Sequence, residues 1–324
     1  MRRRELIRLL GGMAATLPLA VLAQEPGRTY RLGGLHFSPY KAPHHVALFD
    51  ELRRFGFTEG QNLLSDAEGY GLRADQLADH AAKIVKAGVD VILCAGTAPI
   101  RAAQQATKTT PILGITDDMV GSRLVGSLAK PDGNTTGVSI LAPELDGKRQ
   151  EILIEAVPGV RRMAALADFN TTTPRQLQAL QDAARARGVD LLIYRVAKPE
   201  EIAGAIETAK SSGVTALNVL ATPLLHNNRQ IILERVMALG LPSIHQWPET
   251  SEEGGFIGYG PRLTRLYREI MARQLIKLLN GARPADLPLE QPTKFELAIN
   301  LKTAKALGLV APASLLARAD EIIE

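Results

Sequence analysis

The stretch that decides the fold is Val89–Asp118, which reads VDVILCAGTAPIRAAQQATKTTPILGITDD. Its first part, Val89–Ala95, is an apolar run of strand length without alternation, which is typical of a parallel strand covered on both faces. Ile100–Lys108 is rich in Ala and Gln and indicates a helix. Pro111–Ile115 is a second apolar run of strand length. The stretch therefore predicts one βαβ unit.

The two strands of this unit end in small and polar residues. Gly96 and Thr97 follow the first strand, and Thr97 is a candidate helix cap ahead of Pro99 in the first turn. Thr116–Asp118 follow the second strand. In open α/β sheets, ligands bind outside the carboxyl ends of the strands, so both segments are predicted to lie at the mouth of a site. Asp117 either binds a ligand's ammonium group there or helps to cap the region after it.

Strand and helix patterns alternate along the rest of the chain, which predicts parallel sheets flanked by helices. The patterns form two runs, and the chain crosses between them at residues 141–144 and again near residues 259–261. The predicted fold class is therefore α/β, with two Rossmann-like lobes joined by a hinge of several crossings. We expect residues 24–142 plus about 262–286 in lobe 1, residues 143–261 plus about 287–324 in lobe 2, and a binding cleft between them.

The N-terminus has the pattern of an export signal. Arg2, Arg3 and Arg4 precede an apolar run over Leu9–Leu22, and a small-residue cleavage site ends at Ala23. The run is too short to span a bilayer. We therefore expect a signal peptide over residues 1–23 and a periplasmic protein, with the Sec and Tat export routes both open.

Charge and cysteine content exclude several classes of function. The chain has 38 basic and 34 acidic residues, and the predicted signal peptide contains four arginines and one glutamate. The mature chain is then nearly neutral, so nothing indicates nucleic-acid binding. The single cysteine, Cys94, lies inside an apolar strand, where a buried small hydrophobe is far commoner than a nucleophile.

Four predicted strands are followed by a hydroxyl residue and a proline. These segments contain Ser38, Thr97, Thr173 and Thr222, and the last three open helices. Free N–H groups at helix starts suit an anion, although Ser/Thr-Pro is also ordinary helix capping.

The aromatic residues are placed unevenly. Of the 14 aromatic residues, six fall at predicted strand carboxyl ends, where they suit an amphipathic ligand with an apolar part. Packing of one lobe on the other is the alternative, above all for Trp247 and Tyr259. The six are Phe37, Tyr40, Tyr70, Phe169, Trp247 and Tyr259.

No set of catalytic residues stands out. The sequence lacks a GxSxG elbow, a Walker loop, a GxGxxG turn, an HExxH helix and a CxxC pair. His44 and His45 are adjacent, which favours a solvated surface pair over a metal site. His245 precedes Trp247 at a strand end, where ligand contact and core packing are equally open. We therefore expect no enzyme, no metal and no cofactor.

Several segments resemble the periplasmic substrate-binding proteins of ABC transporters, in the group related to tryptophan/tyrosine-type uptake binding proteins. The resemblance extends over essentially the whole chain, and its most specific part is the C-terminal segment. The segments are MRRRELIRLLGG at the N-terminus, FDELRRFGFTEGQNL (Phe49–Leu63), ADQLADHAAKIVKAGVDVILCAGTAPIRAAQQATKTTPI, GSLAKPDGNTTGVSIL (Gly126–Leu141), ADLPLEQPTKFELAINLKTAKALGL and PASLLARADEIIE.

The resemblance implies a type I periplasmic-binding fold that closes on a small ligand, an aromatic or other amino acid or a related carboxylate. It also implies a monomer that works with a membrane permease and an ATPase. The family's ligand-binding loops correspond here to Ser38, Gly96, Thr97, Asp117, Asn170, Thr222, Trp247 and Tyr259. The aromatic pattern adds Phe37 and Tyr70 as candidate ligand-binding residues.

Two other classes of protein use this fold. A repressor would need a DNA-binding helix pair at the N-terminus, where this chain has the pattern of an export signal. A membrane receptor would need a membrane-spanning segment, which the sequence does not predict. A periplasmic sensor that presents its ligand to a separate receptor stays open. An exported hydrolase is disfavoured by the missing catalytic set.

Overall fold

The computed structural model describes residues 27–140 and 142–324, without the side chains of residues 142–144. The predicted signal peptide over residues 1–23 lies outside the described residues.

Lobe 1 contains a sheet of five parallel strands in the order β2-β1-β3-β4-β5. Helices cover both faces, so the strands are apolar without alternation. The strands are β1 (Tyr30–Leu35), β2 (Leu63–Ser65), β3 (Val91–Ala95), β4 (Ile112–Thr116) and β5 (Thr135–Ser139), and the helices are α1 (Pro43–Arg54), α2 (Leu77–Lys86) and α3 (Thr97–Ala106).

The predicted βαβ unit is confirmed. β3 and β4 pair in parallel, with Cys94 opposite Gly114, and α3 connects them. Cys94 is fully buried. Gly137 on β5 lies so close to β4 that an added Cβ would sit 1.7 Å from the Gly114 carbonyl oxygen. The parallel pairing of β3 with β4 brings the loops after these two strands side by side.

Lobe 2 contains a sheet of seven strands in the order β12-β11-β10-β9-β8-β6-β7, parallel except for the β10–β11 pair. The C-terminal strand pairs with β11 and so belongs to this sheet. The strands are β6 (Arg162–Asp168), β7 (Asp190–Val196), β8 (Leu217–Val219), β9 (Ser243–His245), β10 (Ile257–Gly260), β11 (Glu296–Asn300) and β12 (Glu321–Ile323).

The helices of lobe 2 follow its strands. Thr173 and Thr222 cap two of them through hydrogen bonds from Gln176 N and Leu225 N, both 3.3 Å, as the Thr-Pro pattern predicts. The helices are α4 (Ala142–Ala156), α5 (Pro174–Ala186), α6 (Ile202–Ser211), α7 (Pro223–Asn227), α8 (Arg229–Ala238) and α9 (Glu249–Glu252), followed near the C-terminus by α12 (Leu301–Ala306) and α13 (Ala313–Leu316).

The chain crosses between the lobes three times. The first crossing joins β5 to α4, and the second joins β10 to a long helix that packs on α1 in lobe 1. This crossing helix consists of α10 (Leu263–Arg265), a π-helical segment over Leu266–Met271 and α11 (Ala272–Leu279). The third crossing leads from a segment beside β5 to β11.

That segment ends at Glu290, whose N–H bonds to the Gly137 carbonyl at 2.9 Å. Its contacts favour a lobe boundary after Glu290, slightly beyond the predicted position near residue 286, and the boundaries themselves stay a proposal. The predicted fold class of two Rossmann-like α/β lobes with several crossings is confirmed.

Candidate functional site

A pocket of about 560 Å³, its open mouth included, lies where loops of the two lobes meet. The loops after β1, β3, β4 and β5 contribute from lobe 1, those after β8 and β9 from lobe 2, and the crossing helix closes one side. Gly96 approaches Pro223 across the cleft, with an added Cβ 3.4 Å from the Pro223 Cγ. The lining residues are Phe37, Ser38, His44, Ala95, Gly96, Ile115, Thr116, Asp117, Ile140, Thr222, Pro223, His226, Asn227, Gln246, Trp247, Leu263 and Tyr267.

Six of the ten candidate ligand-binding residues line this pocket, and they come from both lobes. They follow five different strands. They come together because the carboxyl ends of parallel strands meet at one edge of a sheet. The six are Phe37, Ser38, Gly96, Asp117, Thr222 and Trp247.

The other four candidates lie outside the lining. Tyr70 is buried and stacks on His36, with ring centroids 4.6 Å apart. Asn170 is exposed, and its amide donates to the Ala197 carbonyl at 3.3 Å. Tyr259 packs against the core of lobe 2. Ligand contact at these three residues stays a prediction.

Thr97, the fourth, differs from expectation in its local role. The N-cap of α3 is Gly96, whose φ of 101° favours glycine, and Thr97 makes no capping bond. The prediction that Thr97 caps the helix is therefore wrong. Its Oγ1 lies 3.1 Å from the Oγ1 of Thr116, a lining residue. Thr97 thus joins the ends of β3 and β4 behind the pocket wall.

Among the side chains that the structure describes, Asp117 has the one carboxyl group in the lining. Gln246 donates from lobe 2 to its Oδ1 at 3.3 Å, so this hydrogen bond crosses the cleft. Burial and the nearby Asp146 carboxylate raise the pKa of Asp117 to about 7. Its neighbour Asp118 instead accepts the Gly121 N–H at 2.8 Å, which is the capping role predicted for the pair.

The N-terminus of α3 provides the opposite charge beside Asp117. The first N–H groups of a helix have no partner within it and carry partial positive charge. Gly96 brings this helix end to the pocket, and α3 is ten residues long. A carboxyl group and a helix N-terminus side by side match the ammonium and carboxylate of a zwitterion.

The histidines are buried rather than solvated, so the prediction of a surface pair at His44 and His45 is wrong. His44 is 8% exposed and His45 is fully buried. α1 lies between the crossing helix and the loop that contains Tyr70. The ring centroid of His44 is 4.7 Å from that of Tyr267, and the ring centroid of His45 is 4.8 Å from that of Tyr70. Burial lowers the pKa of His44 to about 2 and that of His45 to about 4.

The rest of the lining is uncharged and largely apolar. His226 lies across the cleft from His44, and burial together with Arg229 lowers its pKa to about 3. Its ring meets the Trp247 ring at 5.8 Å. With both histidines neutral, the lining has no cation, and an apolar ligand part would contact Trp247, Phe37 and Tyr267.

Trp247 follows β9, and the backbone around it lies unusually close to the neighbouring strand β10. Gly258 on β10 approaches so closely that an added Cβ would lie 2.3 Å from the Trp247 carbonyl oxygen. This explains the short Gly-rich strand of the sequence. The Trp247 Nε1 is buried and has no hydrogen-bond partner within the described residues.

Several lining residues were not predicted. His226, Asn227 and Gln246 lie within a few positions of predicted residues, so the strand-end pattern identifies their loops. Leu263 and Tyr267 come from the crossing helix, and no local signal places that helix against the cleft.

Two further observations limit the chemistry. Within residues 27–140 and 142–324, no group of three or more His, Cys, Asp or Glu is placed to hold a metal ion. None of the helices in this part of the chain combines the length and apolarity needed to cross a membrane.

A two-lobed α/β fold with a pocket at the junction of the lobes is typical of proteins that bind a small ligand. The family model for ABC transporter substrate binding protein matches residues 44–323, and the chain belongs to this family. The family consists of binding proteins rather than enzymes, as the sequence predicts.

Three similar proteins extend the comparison. The tyrosine-binding protein of Clostridioides difficile (strain R20291) is 25% identical over 260 residues, 78% of this chain and 73% of that protein. A conserved domain protein from Vibrio cholerae superposes with a TM-score of 0.81 at 24% identity, over 91% of this chain and all of the other. The ABC domain in complex with L-Trp from Streptococcus pneumonia gives 0.79 at 24% identity with the same coverage.

Proposed function

We propose that the protein is the extracytoplasmic solute-binding component of an ABC-type importer and captures an amino acid with an apolar, preferably aromatic, side chain. The observation that carries this proposal is Asp117, which has the single carboxyl group among the described lining residues, and none of these is a lysine or an arginine. Its carboxylate would bind the ligand's ammonium group, and the N-terminus of α3 would bind the carboxylate.

The lining supports an uncharged, flat side chain. Trp247 is 5% exposed and lines the pocket together with Phe37 and Tyr267. A basic side chain would find no second carboxyl group there, and an acidic one would find no cation. The relatives named for tyrosine and crystallised with L-Trp bind ligands of this kind.

The test is calorimetric titration of the mature chain, unfolded and refolded to remove co-purified ligand, with a panel of amino acids. We expect L-tryptophan or L-tyrosine to bind. Tryptamine, which lacks the carboxylate, and indole-3-propionate, which lacks the ammonium group, should each bind much more weakly. If no amino acid binds, the proposal is wrong.

Asp117→Asn removes the proposed counter-ion and keeps the shape of the side chain. Loss of one partner of a buried charge pair costs 2–5 kcal/mol, so affinity should fall about 30-fold or more. Asp118→Asn is the matched control, because this neighbouring carboxylate bonds its own loop outside the pocket. Equal effects of the two variants would remove Asp117 from the site.

The remaining parts of the proposal concern location and partners. We propose export by a signal peptide over residues 1–23, by either Sec or Tat, and action as a monomer with a membrane permease and an ATPase. Fractionation of cells expressing the full chain should find a shortened protein in the periplasm. A chain that keeps its N-terminus and stays in the cytoplasm would contradict this.

A further inference from the structure

We propose that the buried ion pair Asp146–Arg149 is a positioning pair that sets the charge of Asp117, so that ligand capture releases a proton. The inference rests on the proposed function, in which Asp117 binds the ligand's ammonium group. Both residues of the pair lie on α4, directly after the first crossing between the lobes.

The pair is entirely enclosed in protein. The side chains of Asp146 and Arg149 are both 0% exposed, and Arg149 Nη1 donates to Asp146 Oδ1. Burying two charges is expensive, and similar pairs elsewhere are replaceable by apolar residues without loss of stability. Stability alone is therefore a weak reason for charges at this place.

Hydrogen bonds fix the pair to the walls of the cleft. Asp146 accepts the backbone N–H of Ala221, next to the lining residue Thr222, at 3.3 Å, and the Gln176 amide at 2.6 Å. Arg149 Nε donates to the Tyr259 carbonyl at 2.8 Å, just before the second crossing. The positions of both charges relative to the pocket are thus determined.

Arg149 has hydrogen-bonding capacity left over. Its Nη2 is buried and has no hydrogen-bond partner in the described part of the chain. The two carboxylates that act on the arginine electrostatically are Asp146 and Asp117. One cation therefore serves two carboxyl groups, of which only Asp117 faces the pocket.

This arrangement leaves one negative charge too many while the pocket is empty. The groups that act on Asp117 are Asp146 and Arg149 of α4, Gln246 from across the cleft and Asp118 of its own loop. With both carboxyls ionised, these three groups carry a net charge of −1. A proton on Asp117 cancels it in the empty pocket, and a ligand ammonium cancels it in the complex.

The direct test measures the ionisation of Asp117 without relying on affinity. In protein labelled with ¹³C at aspartate carboxyls, the Asp117 signal, identified by its loss in Asp117→Asn, should titrate near pH 7 when the pocket is empty. Saturation with L-tryptophan should abolish this titration above about pH 5. An Asp117 signal that titrates near its ordinary pKa in the empty protein overturns the inference.

Two variants of the pair should move the midpoint in opposite directions. Asp146→Asn removes the competing anion and should lower it, whereas Arg149→Met removes the cation and should raise it. Arg149→Lys keeps the charge and should restore a midpoint close to that of the parent. If Arg149→Met fails to fold, Asp146→Asn alone decides. Variants that lower Tm and leave the midpoint unchanged show a structural role only and overturn the inference.

Calorimetry separates this inference from the proposed function. For one proton released with a pKa near 7, the dissociation constant for L-tryptophan should rise about 25-fold from pH 7.5 to 5.5. Binding that is tight and independent of pH overturns the inference and leaves the proposed function intact. Absence of binding by L-tryptophan and L-tyrosine at every pH, with the NMR midpoint near 7, contradicts the proposed ligand class instead.

Discussion

His245 should make the fold sensitive to acid, and the size of the effect follows from its burial. The side chain is 3% exposed, and its Nε2 lies 2.9 Å from the Ser243 Oγ. Burial lowers the pKa of the imidazole from its ordinary 6.5 to about 3. The folded protein therefore keeps His245 neutral at pH values where the unfolded chain takes up a proton.

The direction in which stability changes with pH follows from this difference in pKa. Above about pH 6.5, His245 is neutral in both states and has no effect on the pH dependence of stability. As the pH falls below 6.5, the unfolded state gains a proton that the folded state refuses, and stability declines until about pH 3. At pH 5 the loss from this one residue is about 2 kcal/mol.

The same direction holds for His44, His45 and His226, whose pKa values are also lowered. Each of them therefore adds to the loss of stability as the pH falls below about 6.5. The raised pKa of Asp117 acts in the opposite sense, because the folded state then binds the extra proton. A comparison of variants isolates one histidine from these other groups.

The assay is urea unfolding of the parent and of His245→Gln at pH 7.5, 6.5, 5.5 and 5.0, monitored by circular dichroism. Loss of the buried ring gives a pH-independent offset. Between pH 7.5 and 5.0, the parent should lose about 2 kcal/mol more than the variant. Parallel stability curves for the two proteins would refute the assignment of a neutral His245.

Three further substitutions test other parts of the structure. Gly258→Ala should destabilise the protein by about 1–3 kcal/mol and weaken binding, because its Cβ would meet the Trp247 carbonyl. The control Gly204→Ala, in the open part of α6, should instead stabilise the protein by about 0.5–1 kcal/mol. A Gly258→Ala variant with unchanged stability would contradict the close approach. Thr97→Ala should lower the free energy of unfolding by about 1 kcal/mol, because the hydrogen bond to Thr116 is lost, and should change ligand affinity by less than about threefold. A tenfold loss of affinity that Thr97→Ser restores would show ligand contact. Arg262→Gln breaks ion pairs to Glu252, Glu296 and Glu321, so hydrogen exchange in β12 should accelerate more than in β1, and uniform acceleration would show that these ion pairs do not hold the C-terminal strand.

The sequence predicts the fold well because its signals are local. The apolar runs of Val89–Ala95 and Pro111–Ile115 and the Thr-Pro helix starts define parallel strands and their polarity. The carboxyl ends of such strands converge, so Asp117 and Trp247 could be placed in one site although 130 residues separate them.

The remaining parts of the site depend on long-range packing. Nothing local in residues 263–279 indicates that Tyr267 packs on His44 and closes the cleft. For the same reason the burial of His44 and His45 could not be predicted, since two adjacent helical residues are buried only where different elements cover different sides of the helix.

The three crossings restrict how the lobes can move. A single flexible connection would let one lobe rotate freely about the other, whereas three connections restrict that movement. We therefore expect a closing movement to bring Asp117 back to Gln246 and Gly96 back to Pro223. A single proteolytic cut at the second or third crossing would leave the two lobes covalently joined through the first.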